Sequence, residues 1–228
     1  MKKSPISLMR LSLLTLSLSL LGGCATTQKA YDYTAFREAR PASILVLPPV
    51  NESPDIKATH SMLSHATAPL AESGYYVFPV TLVDETFKHN GLTAPADIHE
   101  VAPAKLREIF GADAALYISV KQYGTSYKVI ASETRVTAEA RLVDLRSGNQ
   151  LWHGVATASS AENDSNSGGG LAGLLIKAVV RQILETIVEQ GHVIAGQTSS
   201  RLLSAGMPNG ILYGPRSPQY QKDGQALR

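Results

Sequence analysis

The hydrophobic pattern of the chain changes rhythm halfway along. Residues 43–47 form a short, unbroken apolar run closed by Pro48 and Pro49, the signature of a strand buried on both faces. Residues 51–55 carry loop chemistry. A helix is expected from about residue 56 to 73, capped by Asp55, with Met62, Leu63, Ala66 and Leu70 on one face. Pro69 should kink it and Gly74 should stop it. Residues 75–80 read as a second strand and residues 82–88 as a short helix ended by Asn90 and Gly91. Pro103 opens a further helix over residues 104–110 that Gly111 closes, and residues 115–123 read as a third strand. Strand, helix, strand, helix, strand predicts parallel pairing with right-handed crossovers.

In the second half the period falls to two. A short strand is expected at residues 127–131. Over residues 135–145, Val136, Ala138, Ala140 and Leu142 alternate with Thr137, Glu139 and Arg141, as in a half-buried antiparallel strand. Residues 146–149 form a turn and residues 150–158 return as the hairpin partner. Residues 159–170 are polar and glycine-rich, a loop. Residues 171–190 carry the strongest helical signal. Lys177, Arg181, Glu185 and Glu189 make a narrow polar stripe, and nearly everything else is apolar, including Ile176, Val179, Val180, Ile183, Leu184 and Ile187. One apolar face suffices for a surface helix, so this one requires cover on two sides, either between sheet and tail or at a subunit interface. From Gly196 a Pro-, Gly- and Tyr-rich arm follows, in which Ile211, Leu212 and Tyr213 argue for docking of at least part. The expected fold is α/β with α+β character. It has a mixed sheet of five to six strands, parallel in its first half with an antiparallel hairpin after it, helices packed on the sheet, a long C-terminal helix and an irregular tail.

The start of the chain has a different purpose. Lys2, Lys3 and Arg10 precede an apolar run over residues 11–21, too short to span a bilayer, and Leu21-Gly22-Gly23-Cys24 follows. This resembles the signal and lipobox of bacterial lipoproteins, with cleavage after Gly23 and acylation, including palmitate, of Cys24. The alternative is an ordinary signal peptide ending near Ala25. Lipidation uses the chain's one cysteine, so no disulfide is available. Ala25 after the cysteine resembles the sorting signal for the outer membrane. Loss of the leader removes three basic residues and no acid, leaving 18 basic against 19 acidic residues and a net charge of −1. That excludes the basic footprint of a nucleic-acid binder. The organisation expected is a signal peptide at 1–23, a lipidated tether at 24–41, an α/β domain at 42–195 and a C-terminal arm at 196–228. Extended, the 17 tether residues after the cysteine reach at most about 60 Å. Tyr31, Tyr33 and Phe36 within them either dock on the body or sit in a mobile linker.

Candidate chemistry is sparse. The six histidines show no metal-ligand spacing, and HExxH, CxxC, GxSxG and SxxK motifs are lacking. The glycines at 168–170 and 173 precede a helix but are followed by leucines where a phosphate loop needs Lys and Ser or Thr. Asp144 reads as a local turn cap and Trp152 as a core residue. These readings predict no enzyme activity, no catalytic residue, no cofactor and no metal.

Residues 111–117 (GADAALY) and 140–152 (ARLVDLRSGNQLW) resemble periplasmic proteins with a TolB amino-terminal-like fold, a group that includes the curli secretion lipoprotein CsgG. Over nearly the whole mature chain, residues 74–79 (GYYVFP) and 208–215 (PNGILYGP) resemble a family of bacterial lipoproteins of unknown function. The resemblance implies a mixed sheet with helices packed on it, homodimers, and a setting among CsgG-like lipoproteins in an envelope assembly. The chain departs from a pore subunit in lacking paired amphipathic membrane hairpins. The expected role is a non-enzymatic interaction component, anchored in the outer membrane with a periplasmic domain. The alternative is a lipoprotein that binds a small ligand or peptidoglycan fragment in a cleft lined by the loops at 51–55 and 90–101.

Overall fold

Residues 31–127, 132–164 and 190–222 are described by the computed structural model. They lie in the packed body that begins at Tyr31. The elements are α1 (Thr34–Ala39), β1 (Ser43–Val46), β2 (Val50–Asn51), α2 (Ala58–Glu72), β3 (Tyr76–Val77), α3 (Val80–His89), α4 (Pro95–His99), α5 (Pro103–Phe110), β4 (Ala114–Tyr127), β5 (Ser132–Asp144), β6 (Gln150–Ser159), a 3-10 turn (Ser160–Asp164) and α6 (Gln190–Leu203).

The strands make one six-stranded mixed sheet in the order β3-β1-β4-β5-β6, with β2 pairing β4 beyond the end of β1. β1 is parallel to β3 and β4, and β4, β5 and β6 are antiparallel. The unbroken apolar run is explained by two cores. Ile44 and Val46 face one side with Leu116, Ile118, Val136 and Leu142, under α2 and α6. Leu45 and Leu47 face the other with Ala115, Tyr117 and Val143, under α3, α4 and α5. Successive strand residues alternate faces, so a strand covered on both sides must be apolar throughout. On β5 the even residues Val136, Ala138, Ala140 and Leu142 are buried, as the alternation predicts.

Several elements differ from expectation. The strand expected over 75–80 shrinks to Tyr76–Val77, because Val80 already begins α3. Of the strand expected over 127–131, Tyr127 is the last residue of β4, and residues 128–131 lie outside the described set. Pro69 sits three residues before the last residue of α2, which continues past it to Glu72. α4 forms within the expected loop, with Pro95 at its first turn. α6 runs through Gly196 to Leu203, where an irregular arm was expected. Its Ile194, Ala195, Leu202 and Leu203 are buried, so tertiary packing outweighs the weak helical tendency of its Gly, Thr and Ser residues. The helix expected at 171–190 lies outside the described residues except Gln190, and with it Ile176, Val179, Val180, Ile183, Leu184 and Ile187.

The arm closes the first core. Tyr33 Oη donates to Gly210 O at 2.6 Å, Tyr75 Oη to Leu212 O at 2.5 Å and Trp152 Nε1 to Asn209 O at 2.9 Å. Each aromatic ring is buried while its polar tip satisfies an arm carbonyl. Ile211 and Leu212 are buried between them. Gly74 has φ +97°, and a Cβ there would lie 2.5 Å from Ser217 N. That close approach lets Gly214 N–H donate to Ser73 O and Arg216 N–H to Gly74 O. Of the two readings of Tyr31, Tyr33 and Phe36, docking is observed. Tyr33 and Phe36 are buried, and Tyr31 N–H donates to Asn209 Oδ1 at 3.1 Å.

Candidate functional site

Three edges of the sheet can be compared. β3 is two residues long, and the arm crosses it, with the Arg216 guanidinium 5.3 Å from the Tyr76 ring centre. β6 is held at two points. Arg201 Nη1 donates to Thr157 O at 2.7 Å while Glu162 grips the same guanidinium at 2.5 and 3.0 Å. The Tyr31 hydroxyl lies against the Gln150 side chain and the His153 backbone, and Val155 between is 56% exposed. Such guards prevent unwanted strand pairing.

The third edge is the outer side of β4 beyond β2. Here a groove of about 600 Å³ lies between residues 52–56 and residues 121–126. The 52–56 wall is fixed locally. Asn51 Oδ1 accepts from Ser53 N–H at 2.9 Å and Ser53 Oγ–H at 2.7 Å, and Asn51 Nδ2 donates to Asp55 O at 2.8 Å. Ile56 projects from this wall 87% exposed. Lys121 Nζ bridges Glu52 at 2.6 Å and Glu139 at 3.5 Å, and the Glu52 hydrogen bond first, against desolvation, raises its pKa. The floor carries a register shift between Val120 and Gln122 and a glycine, Gly124, at φ +134° with open space where a Cβ would be. Of the two loops expected to line one cleft, residues 52–55 line this groove, and residues 90–101 do not line it. The signal available in the sequence was Gly124 inside a strand pattern, which marks a bulge or a close backbone approach.

The other polar groups singled out in the sequence hold structure. Asp144 Oδ2 accepts from Ser147 N–H and Oγ–H, capping the β5–β6 turn. Trp152 is 1% exposed. His99 Nε2–H donates to Pro48 O at 3.0 Å, and its ring meets the edge of Tyr117, over which Arg141 lies at 4.1 Å. Burial and then the Arg141 charge lower the His99 pKa, against the Pro48 bond. Asp113, in the GADA stretch, ties three segments together. Its carboxylate accepts from Ala42 N–H, Ser43 N–H, Ser43 Oγ–H and Arg146 Nη2. Burial opposes its ionisation, and these partners outweigh burial and hold its pKa below the usual range.

One histidine pair, a half-buried ring against an exposed one, is unusual. The rings of His65 on α2 and His192 on α6 lie 4.2 Å apart, Ser61 Oγ is 3.0 Å from His192 Nδ1, and His65 Nε2 is buried with no hydrogen-bond partner. Burial, then the charge of His192, lowers the His65 pKa. Among the described residues no group of three or more His, Cys, Asp or Glu side chains could hold a metal, and no helix is long and apolar enough to cross a membrane. Leu21, Gly22, Gly23 and Cys24 lie outside the described residues.

The family described as "Putative lipoprotein GNA1162-like" matches residues 31–216, from the docked tether to the end of the arm's main contacts. "Putative lipoprotein NMB1124/NMB1162" of Neisseria meningitidis serogroup B is 53% identical over 196 residues, covering 85% of this chain and 90% of that protein. The crystal structure of lipoprotein GNA1162 from Neisseria meningitidis is similar at 57% identity and a TM-score of 0.52, over 64% of this chain and 99% of that one. A PelC dodecamer from Paraburkholderia phytofirmans covers 81% of this chain and 96% of its own at 18% identity and a TM-score of 0.46, a likeness too slight to bear on function.

Proposed function

The chain belongs to the GNA1162-like lipoprotein family, and from that premise we propose that it is a non-enzymatic interaction component of the bacterial envelope. Cys24 holds it by acyl chains in the outer membrane, with the body in the periplasm. Its partners are other envelope proteins: CsgG-like lipoproteins, in keeping with the resemblance of residues 111–117 and 140–152, and a second copy through the apolar side of residues 176–187. Only seven peptide steps separate Cys24 from the docked Tyr31, which limits their separation to roughly 25 Å. That is far shorter than a free tether ending at residue 41 would allow, and it keeps partners of the body close to the bilayer.

The observation that carries the contact role is the β4 groove, where a sheet edge stands beside an exposed isoleucine while the β3 and β6 edges are covered or held. The test is a Cys24→Ala variant expressed beside the wild type. The variant is expected to lose palmitate labelling, leave the membrane fraction and co-purify with fewer envelope proteins after crosslinking in cells. Continued labelling of the variant, or an identical partner list for a soluble variant, contradicts the proposal.

A further inference from the structure

Among the described residues, the outer edge of β4 is filled only as far as one bond beyond β2, from Glu52 N–H to Val120 O at 2.9 Å. β4 continues for seven more residues, with β5 on one side and the groove on the other. Which backbone groups face the groove follows from the hydrogen bonds of three strands. Leu116 O and Val120 O both point outward, to Leu47 and Glu52, so even-numbered residues face out up to the bulge. The register then shifts by one at Lys121, and the outward set becomes odd-numbered. The far side of β5 agrees. Thr134 N–H donates away from β4, to Ser160 Oγ at 3.0 Å, and the Thr125 and Thr134 hydroxyls lie 2.7 Å apart, as the closer side chains of a non-hydrogen-bonded pair require. Thr125 therefore turns its N–H and C=O into the groove.

We infer that this groove takes an extended peptide segment of a partner polypeptide, added to the β4 edge in the lane that β2 begins. The inference rests on the reading of the body as an interaction component. A backbone donor and acceptor on one residue of a strand edge are complementary to the main chain of another extended strand. The lane is already used this way upstream, where Val50 and Asn51 pair with Ser119 and Val120. Residues 122–126 span roughly 13–17 Å, room for four or five strand residues. The Lys121–Glu52 bridge closes the upstream end, and the Asn51-braced loop forms a wall that need not move. Gly124 leaves space for a partner side chain, and Ile56 offers an apolar contact. Among the residues that line the groove, Lys121 offsets Glu52, and the carboxylate of Asp55 is the excess charge. It favours a neutral or basic residue on the incoming strand.

Amide hydrogen exchange on the detergent-solubilised full-length lipoprotein tests this. The probe is an acetylated, amidated hexapeptide of alternating threonine and valine ending in lysine, used with two N-methylated forms that block alternate amides of opposite parity. The peptide is expected to slow exchange of the Thr125 amide at least tenfold. One N-methylated form should bind at least tenfold more weakly and the other like the parent, since only one set of amides faces β4. Thr125→Pro removes an outward N–H that the β5 ladder does not use, so it should keep the fold and lose peptide binding at least tenfold. Unchanged exchange at Thr125, equal binding of both N-methylated forms, or full binding by a folded Thr125→Pro overturns the inference. If Thr125→Pro fails to fold, the N-methylated pair on the unaltered protein decides alone. A photo-crosslinker at Ser126 separates the two levels. Specific partner adducts without the parity effect leave the contact role standing and remove strand addition. Absence of both removes both.

Discussion

The two ends of the sheet are built to opposite specifications. At the β1 end, both faces are covered, and Asp113 ties Ala42, Ser43 and Arg146 together. The arm seals the first core through three buried aromatic tips. At the far end of β4, the second core stops at Tyr117, the same face continues with Ser119 and Lys121, and the outer edge opens onto a groove. The difference separates what keeps the body folded from what leaves it able to bind. Most substitutions at the closed end should cost stability, and most at the open end should cost contacts alone.

Trp152→Ala is the largest expected break. It empties a fully buried indole site and removes the hydrogen bond from Trp152 Nε1 to Asn209 O, so denaturant unfolding should show a loss of about 3–5 kcal/mol. Asp113→Ala comes next. It leaves the Ala42 and Ser43 amides without their acceptor and should cost about 2 kcal/mol, with secondary structure retained by circular dichroism. If either variant is as stable as the wild type, the closed end is not what holds the fold.

A smaller effect depends on pH. The pKa values of His65 and His99 are lowered in the fold, so the unfolded chain binds protons first as pH falls. Their stabilising share is fully present above the ordinary histidine value of about 6.5 and is lost as pH drops below it toward the folded values. Melting temperature should therefore fall between pH 7.5 and 5.5. A His65→Gln variant should fall less steeply. An equal slope would mean that the stacked pair does not sense protonation. The smallest effect belongs to the open end. Ile56→Ser should change stability by less than about 0.5 kcal/mol, because the side chain is 87% exposed, yet reduce crosslinking to partners.

Legibility in the sequence followed the same division. The closed end was readable because burial on two faces writes an unbroken apolar run at 43–47 and a clean alternation at 136–142. Pro103 and Gly111 marked the ends of α5 by their backbone limits alone. Long-range partners were not readable. Nothing local shows that Tyr33, Tyr75 and Trp152 end on carbonyls of residues 209–212, or that Asp113 reaches Ala42. α6 was missed because its glycines, threonine and serines are poor helix formers, and only the packing of Ile194, Thr198 and Leu202 on α2 and β5 makes them helical. The β4 side of the groove was missed for a third reason. It exists because β2 stops at Asn51 while β4 continues, a difference in strand length that requires the register.

Site-specific photo-crosslinking in intact cells tests the central contrast most directly, with the reactive group at Ser126 on the open edge and, in parallel, at exposed Lys105 on α5 at the closed end. Discrete adducts with envelope proteins from Ser126 and none from Lys105 are predicted. Adducts from both positions alike, or from Lys105 alone, would contradict a body that binds through the open end of its sheet.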